Sequence, residues 1–182
     1  MEQHSDKDLL NLFRNGENRH YAFNLLVKKY QRHVYWHVRR IIIDHDDSND
    51  VVQNTFLKVW HNLEKFREDS QLFTWLYRIA TNESINFLKQ KRTKFFIPFV
   101  NVEKHLSNSL KDDPFFKGDA IQRKLQQAIL KLPEKQRLVF NMKYFEGIKY
   151  EDMSKILNTS VGALKASFHI AVKKIEKYLT CD

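Results

Sequence analysis

His33 and His37 stand four residues apart, the spacing of two metal ligands on one helix face. No third ligand follows them in a recognisable pattern. Asp44, Asp46 and Asp47 could gather a cation, but a solvated helix cap uses the same residue types. The chain has no glycine-rich phosphate loop, no nucleophile elbow and no HExxH. No metal, cofactor or catalytic residue is therefore expected. What remains is charge and hydrogen bonding. Lys and Arg number 31 against 22 Asp and Glu, a net charge of +9, and such a basic chain commonly meets nucleic acid. Lys89, Lys91, Arg92 and Lys94 put four positive charges in six residues. Phosphate contact is their simple use, and a solvated helix end is the alternative.

The richest stretch is Tyr150 to Lys174, which reads as two helices joined by a tight turn. Met153, Ile156 and Leu157 recur at helical spacing. Asn158 tolerates the positive φ at which a helix can stop, and Ser160 can cap the next helix. There Val161, Leu164, Phe168, Ala171 or Val172, and Ile175 form one apolar stripe. The other face carries Gly162, Lys165, Ala166, His169, Ile170 and Lys173, small at first and basic further along. An ordinary helical hairpin shares this pattern with a helix-turn-helix, whose second helix enters a major groove.

The elements around it are helical too. Apolar residues make up 42%, with 4 Gly and 3 Pro, and β-branched runs are few, so the expected fold class is all-α. Ser5 and Asp8 suit a capping box before a short helix that Asn15-Gly16 ends. Residues 18–43 and 49–62 read as helices, with 44–48 an acidic break that can begin the second. Residues 63–70 read as a loop ending in Ser70, the expected cap of a helix over 71–92. After Thr93 the periodicity fails. The 26 residues of 94–119 read as a linker able to span about 90 Å. A helix restarts at Ala120, and Pro133 suits the first turn of the next. The single cysteine, Cys181, excludes an internal disulfide. The first residues lack a secretory pattern, and no apolar run approaches a membrane span, so no membrane insertion and a cytoplasmic location are expected.

Three stretches, in order, resemble the extracytoplasmic-function group of bacterial sigma factors within the sigma-70 family. They are SNDVVQNTFLKVW at 48–60, FREDSQLFTWLYRIATNESINFLKQKR at 66–92, and LPEKQRLVF at 132–140 continuing through TSVGALKASFHIAVKKI at 159–175. The wording around KASFHIAVKKIEKYL is similar to the Bacteroidetes-type branch. The resemblance implies two helical domains joined by a flexible linker. A sigma2-like bundle at 1–93 would hold the clamp helices of core RNA polymerase and read and melt the −10 element. The linker would be 94–119. A sigma4-like helix-turn-helix domain at 120–182 would read the −35 element and touch the polymerase flap. An anti-sigma factor is the usual further partner. No small-molecule substrate is implied.

The same resemblance assigns residues. Asp50, Gln53, Asn54, Leu57 and Trp60 match the polymerase-binding face; otherwise Trp60 is core and Asp50 a first-turn carboxylate. Opening DNA without ATP requires that an unpaired base be caught in a pocket. Asn82 matches the position that reads a flipped −10 base, and Phe66, Arg67, Asp69 and Ser70 match the pocket wall. Tyr77, Arg78 and Asn86 lie nearby, with Lys89, Lys91 and Arg92 toward phosphates. Trp75 reads as core. For the −35 element the matching positions are Lys165, Ala166, His169 and Ile170, with Ser160 and Gly162 at the helix start and Lys173 and Lys174 on the backbone. Ala166 and Ile170 favour thymine-methyl contacts over arginine–guanine bonds. Two rivals are a stand-alone helix-turn-helix regulator with a ligand-sensing or dimerising N-terminal domain, and a nucleic-acid-processing enzyme. The first would bind duplex tightly without polymerase. The second would need a cleft lined by carboxylates or histidines.

Overall fold

The computed structural model describes residues 4–16, 18–94 and 120–180. The expected linker falls almost wholly outside these residues, as does Cys181. Every regular element among the described residues is helical. In order they are α1 (Asp6–Arg14), α2 (Arg19–Ile42), α3 (His45–Asn62), a 3-10 turn (Leu63–Lys65), α4 (Leu72–Lys94), α5 (Ala120–Leu130), α6 (Glu134–Tyr144), α7 (Tyr150–Leu157) and α8 (Val161–Thr180).

Local chemistry sets most of the boundaries. Ser5 Oγ accepts from Asp8 N, and the Asp8 carboxylate accepts from Ser5 N at 3.1 Å, so α1 starts in a complete capping box. These bonds from Ser5 hold the Asp8 carboxyl below its ordinary value. Asp44 Oδ1 accepts from Asp47 N at 3.0 Å, so the acidic stretch 44–48 caps α3 and forms its first turn rather than a separate break. Ser70 does not cap α4. Its hydroxyl donates to the Gln71 carbonyl at 3.4 Å, and the helix starts only at Leu72. Asn158 ends α7 at φ 49°, and Ser160 Oγ accepts from Ala163 N at 3.3 Å to start α8.

Helices α1 to α4 share one core. Leu9, Leu10 and Phe13 of α1, Leu26, Val34 and Val38 of α2, Val51, Phe56 and Val59 of α3, and Leu72, Leu76 and Ala80 of α4 meet there. Helices α5, α6 and α8 close a second cluster around Ala128, Ile129, Phe140, Ala171 and Ile175. A third cluster joins the two halves. Tyr77 of α4 packs among Val139, Met142, Ile148, Met153, Ile156 and Leu164.

Polar contacts reinforce that junction. Gly147, at φ 64°, lets the chain turn sharply between α6 and α7, and the turn carries Glu146 to α2. The Glu146 carboxylate lies 3.1 Å from His37 Nδ1 and 3.5 Å from Arg40 Nη1. His37 Nε2 lies 2.8 Å from Thr81 Oγ1, whose one proton already donates to the Tyr77 carbonyl at 2.7 Å. The two ring nitrogens thus bridge Glu146 of the turn and Thr81 of α4. His37 is 1% exposed, so this is a fixed buried pair. Thr74 donates to Asp152, and Asn141 donates to the Arg40 carbonyl. The two histidines of metal-ligand spacing are thereby divided, since His33 is exposed and His37 faces inward.

Candidate nucleic-acid and polymerase interfaces

Three surfaces emerge. On α3, Asp50, Gln53, Asn54 and Leu57 are all exposed and lie along one face at helical spacing. Leu57 is 52% exposed, unusual for a leucine. Trp60 continues that line but is half-buried. Its ring lies edge-on to Phe13 at 5.3 Å and Phe23 at 5.0 Å, and His20 stacks on it at 4.8 Å. Trp60 is thus part core and part surface.

The second surface lies between the end of α3 and the start of α4. Lys58, Asn62 and Lys65 form one wall of a cleft of about 360 Å³, and Trp75, Ile79, Asn82 and Glu83 form the other. A cleft of this size falls in the usual range for small-ligand sites, roughly 300–1,000 Å³. Lys58 Nζ pairs with Glu83 at 2.5 Å across it. Asn82 is exposed, with its amide free to donate and accept. Trp75 is half-buried rather than plain core, with its ring 5.0 Å from that of Phe66. Phe66 itself is buried, while Arg67 and Asp69 of the same loop are exposed. Arg78, Asn86 and Lys89 are exposed along α4. Lys91 is engaged by Asp47 and is not available to a phosphate in this arrangement. The side chain of Arg92 lies outside the described residues.

Tyr77 departs from expectation. It is 2% exposed, with its ring 4.5 Å from His37 and 4.1 Å from Phe73, and its hydroxyl donates to the His33 carbonyl. Burial and the nearby Glu146 carboxylate push its phenol above the ordinary tyrosine range, which Arg40 partly opposes. With α6 to α8 packed against it, Tyr77 is covered in this arrangement.

The third surface is α8. Ser160, Gly162, Lys165, Ala166, His169, Ile170, Lys173 and Lys174 are all exposed, whereas Leu164, Ala171 and Ile175 are buried. Lys165 Nζ stands 5.8 Å from the centre of the Tyr150 ring, and Lys174 Nζ donates to Gln136 at 3.0 Å. The face is mixed: two apolar side chains, one histidine and flanking lysines. Such a face suits thymine methyls and phosphates. Ser160 is already used as a cap, leaving the backbone amides of the first turn for an anion.

Sequence reading missed Lys58, Asn62, Lys65 and Glu83. Their signal was present, since amides and lysines gather where α3 runs into the loop, but only the fold sets them opposite Asn82.

Residues 26–94 match sigma-70 region 2, and residues 122–175 match sigma-70 region 4. The RNA polymerase sigma-H factor of Pseudomonas aeruginosa is 32% identical, over 97% of this chain and 95% of its own length. The ECF RNA polymerase sigma-E factor of Escherichia coli is 31% identical over 96% and 94%. Among solved structures, CnrH in complex with the cytosolic domain of CnrY has a TM-score of 0.70 at 23% identity, covering 97% of this chain and 98% of its own. The sigma factor RpoE of Bartonella quintana, in complex with the anti-sigma factor NepR, has a TM-score of 0.68 at 20% identity, covering 88% and 98%. The chain belongs to the extracytoplasmic-function sigma factors of the sigma-70 family. That family is not an enzyme class. No helix among the described residues is long and apolar enough to cross a membrane.

Proposed function

We propose that this sigma factor works in the cytoplasm, docking on core RNA polymerase through the exposed α3 face of Asp50, Gln53, Asn54 and Leu57, with the outer edge of Trp60. The −10 element is captured as an unpaired base at the cleft beside Asn82, with the loop Phe66–Ser70 next to it. The −35 element is read as duplex by Lys165, Ala166, His169 and Ile170. The working units are 1–93, a linker at 94–119, and 120–182.

The observation that carries this reading is the pairing of two unlike surfaces. One is a polar-lined cleft beside Asn82, sized for one small group. The other is an exposed helix face with a buried reverse side. A duplex reader alone would need only the second. Stacking on Trp75 and hydrogen bonds from Asn82 would offset the few kcal/mol that a base loses on leaving its stack. The contacts at Tyr77, His37 and Glu146 bury part of α4, so the two halves separate when the polymerase is engaged. An anti-sigma factor would act by holding them together or by covering the α3 face.

The deciding experiment is transcription from a supercoiled genomic library with purified core polymerase. Addition of this chain should create new start sites, and the chain should co-purify with core. Failure of both ends the reading.

A further inference from the structure

The loop behind the Asn82 cleft, whose Phe66 packs on the lining Trp75, makes few backbone bonds of its own. Phe66 N donates to Leu63 O at 3.2 Å, and Glu68 sits at φ 60°, a left-handed conformation that costs a residue with a Cβ. What fixes the loop comes from α1, distant in sequence but packed beside it. Arg14, in the last turn of α1, extends its guanidinium across the loop. Nη2 donates to the Phe66 carbonyl at 2.5 Å, and Nη1 donates to Glu68 Oε1 at 2.5 Å. The fork straddles Arg67, holding the backbone at Phe66 on one side and the Glu68 side chain on the other. A planar two-donor group suits this, and a point charge such as lysine does not.

We infer that Arg14 is a positioning residue for −10 recognition: it sets the loop whose Phe66 backs the cleft-lining Trp75, without touching DNA itself. The inference rests on the assignment of the −10 element to that cleft. Phe66, one end of the clasp, packs on Trp75, and Trp75 lines the cleft with Asn82. A shift of the Phe66 carbonyl is therefore passed to the surface on which a base would stack. The ion pair contributes little to overall stability, because the Arg14 and Glu68 side chains are 31% and 43% exposed. Its effect should show in selectivity.

The test uses core polymerase with the full chain, transcribing a template pool premelted and randomised across the −10 positions. Sequencing the transcripts gives the discrimination among −10 bases. Arg14→Ala and Arg14→Lys should each lower that discrimination about tenfold, the scale of one lost charge-assisted hydrogen bond. Glu68→Ala should lower it less, since the bond to Phe66 remains. Core affinity and Tm should stay at the wild-type values. Undiminished discrimination in Arg14→Ala overturns the inference and leaves the −10 assignment standing. A parallel fall in Tm or core affinity also overturns it, by making Arg14 a general fold contact. A wild-type protein indifferent to the randomised bases overturns the −10 assignment itself, and this inference with it.

Discussion

Desolvation and Glu146 hold the proton on Tyr77, while desolvation and the Asp6 carboxylate hold the one on Tyr30. A raised folded value means that the neutral phenol stabilises the packed state. That contribution is fully present below the ordinary tyrosine value of about 10 and is lost as pH rises through the higher folded one. Tyrosinate absorbance should therefore show a late alkaline component that shrinks in Tyr30→Phe and again in Tyr77→Phe. Loss of the late component in neither variant would contradict the burial. Asn82 makes a different kind of prediction. It is exposed, so Asn82→Ala should change stability by less than about 0.5 kcal/mol. Open-complex formation, followed by reactivity of unpaired thymines, should fall at least about tenfold while core binding holds. Equal losses in both would point away from base capture.

At the level of the helices, α3 calls for care in the choice of variant. Trp60→Ala removes a ring packed on Phe13 and Phe23, and truncating a large core aromatic costs about 3–5 kcal/mol when burial is complete. Asp50→Lys with Leu57→Glu changes only exposed positions. That pair should weaken core binding about tenfold or more with Tm nearly unchanged, read by co-purification and calorimetry; unaltered binding would move the interface off α3. For α8, Lys165→Ala and His169→Ala should weaken −35-dependent transcription and spare a −10-only template. The faces of α3 and α8 were legible in the sequence because a helix facing one core repeats its apolar residues every 3.6 positions. The capping box at Ser5 and the αL stop at Asn158 were legible because both are local chemistry. Ser70 misled because its residue type suits a cap, while the chain runs one residue further before turning helical. Tyr77 misled for another reason. It sits among polar neighbours on α4, and what covers it comes from helices more than sixty positions away. Arg14 on the loop and His37 on Glu146 share that cause.

Across the whole molecule, the two halves meet through an apolar cluster and a set of polar contacts centred on Glu146. Glu146→Ala leaves the buried His37 Nδ1 without its carboxylate partner. Losing one partner of a buried pair costs on the order of 3–5 kcal/mol, and here the cost falls on the junction, because each half keeps its own core. Small-angle scattering should report a larger radius of gyration for Glu146→Ala than for the wild type, and interdomain fluorescence transfer should fall. The variant should retain full promoter opening with core polymerase, since the junction opposes engagement in the proposed cycle. An unchanged radius would show that the apolar cluster suffices alone.

The cover over Tyr77 also has a place in time. Helices α1 to α4 are complete at Lys94, but the residues that bury Tyr77 run from Val139 to Leu164. At roughly 5–20 residues per second, a ribosome needs roughly 4–14 s more to make them. During each round of synthesis the first half is thus a folded nascent domain whose Tyr77 face has no cover from its own chain.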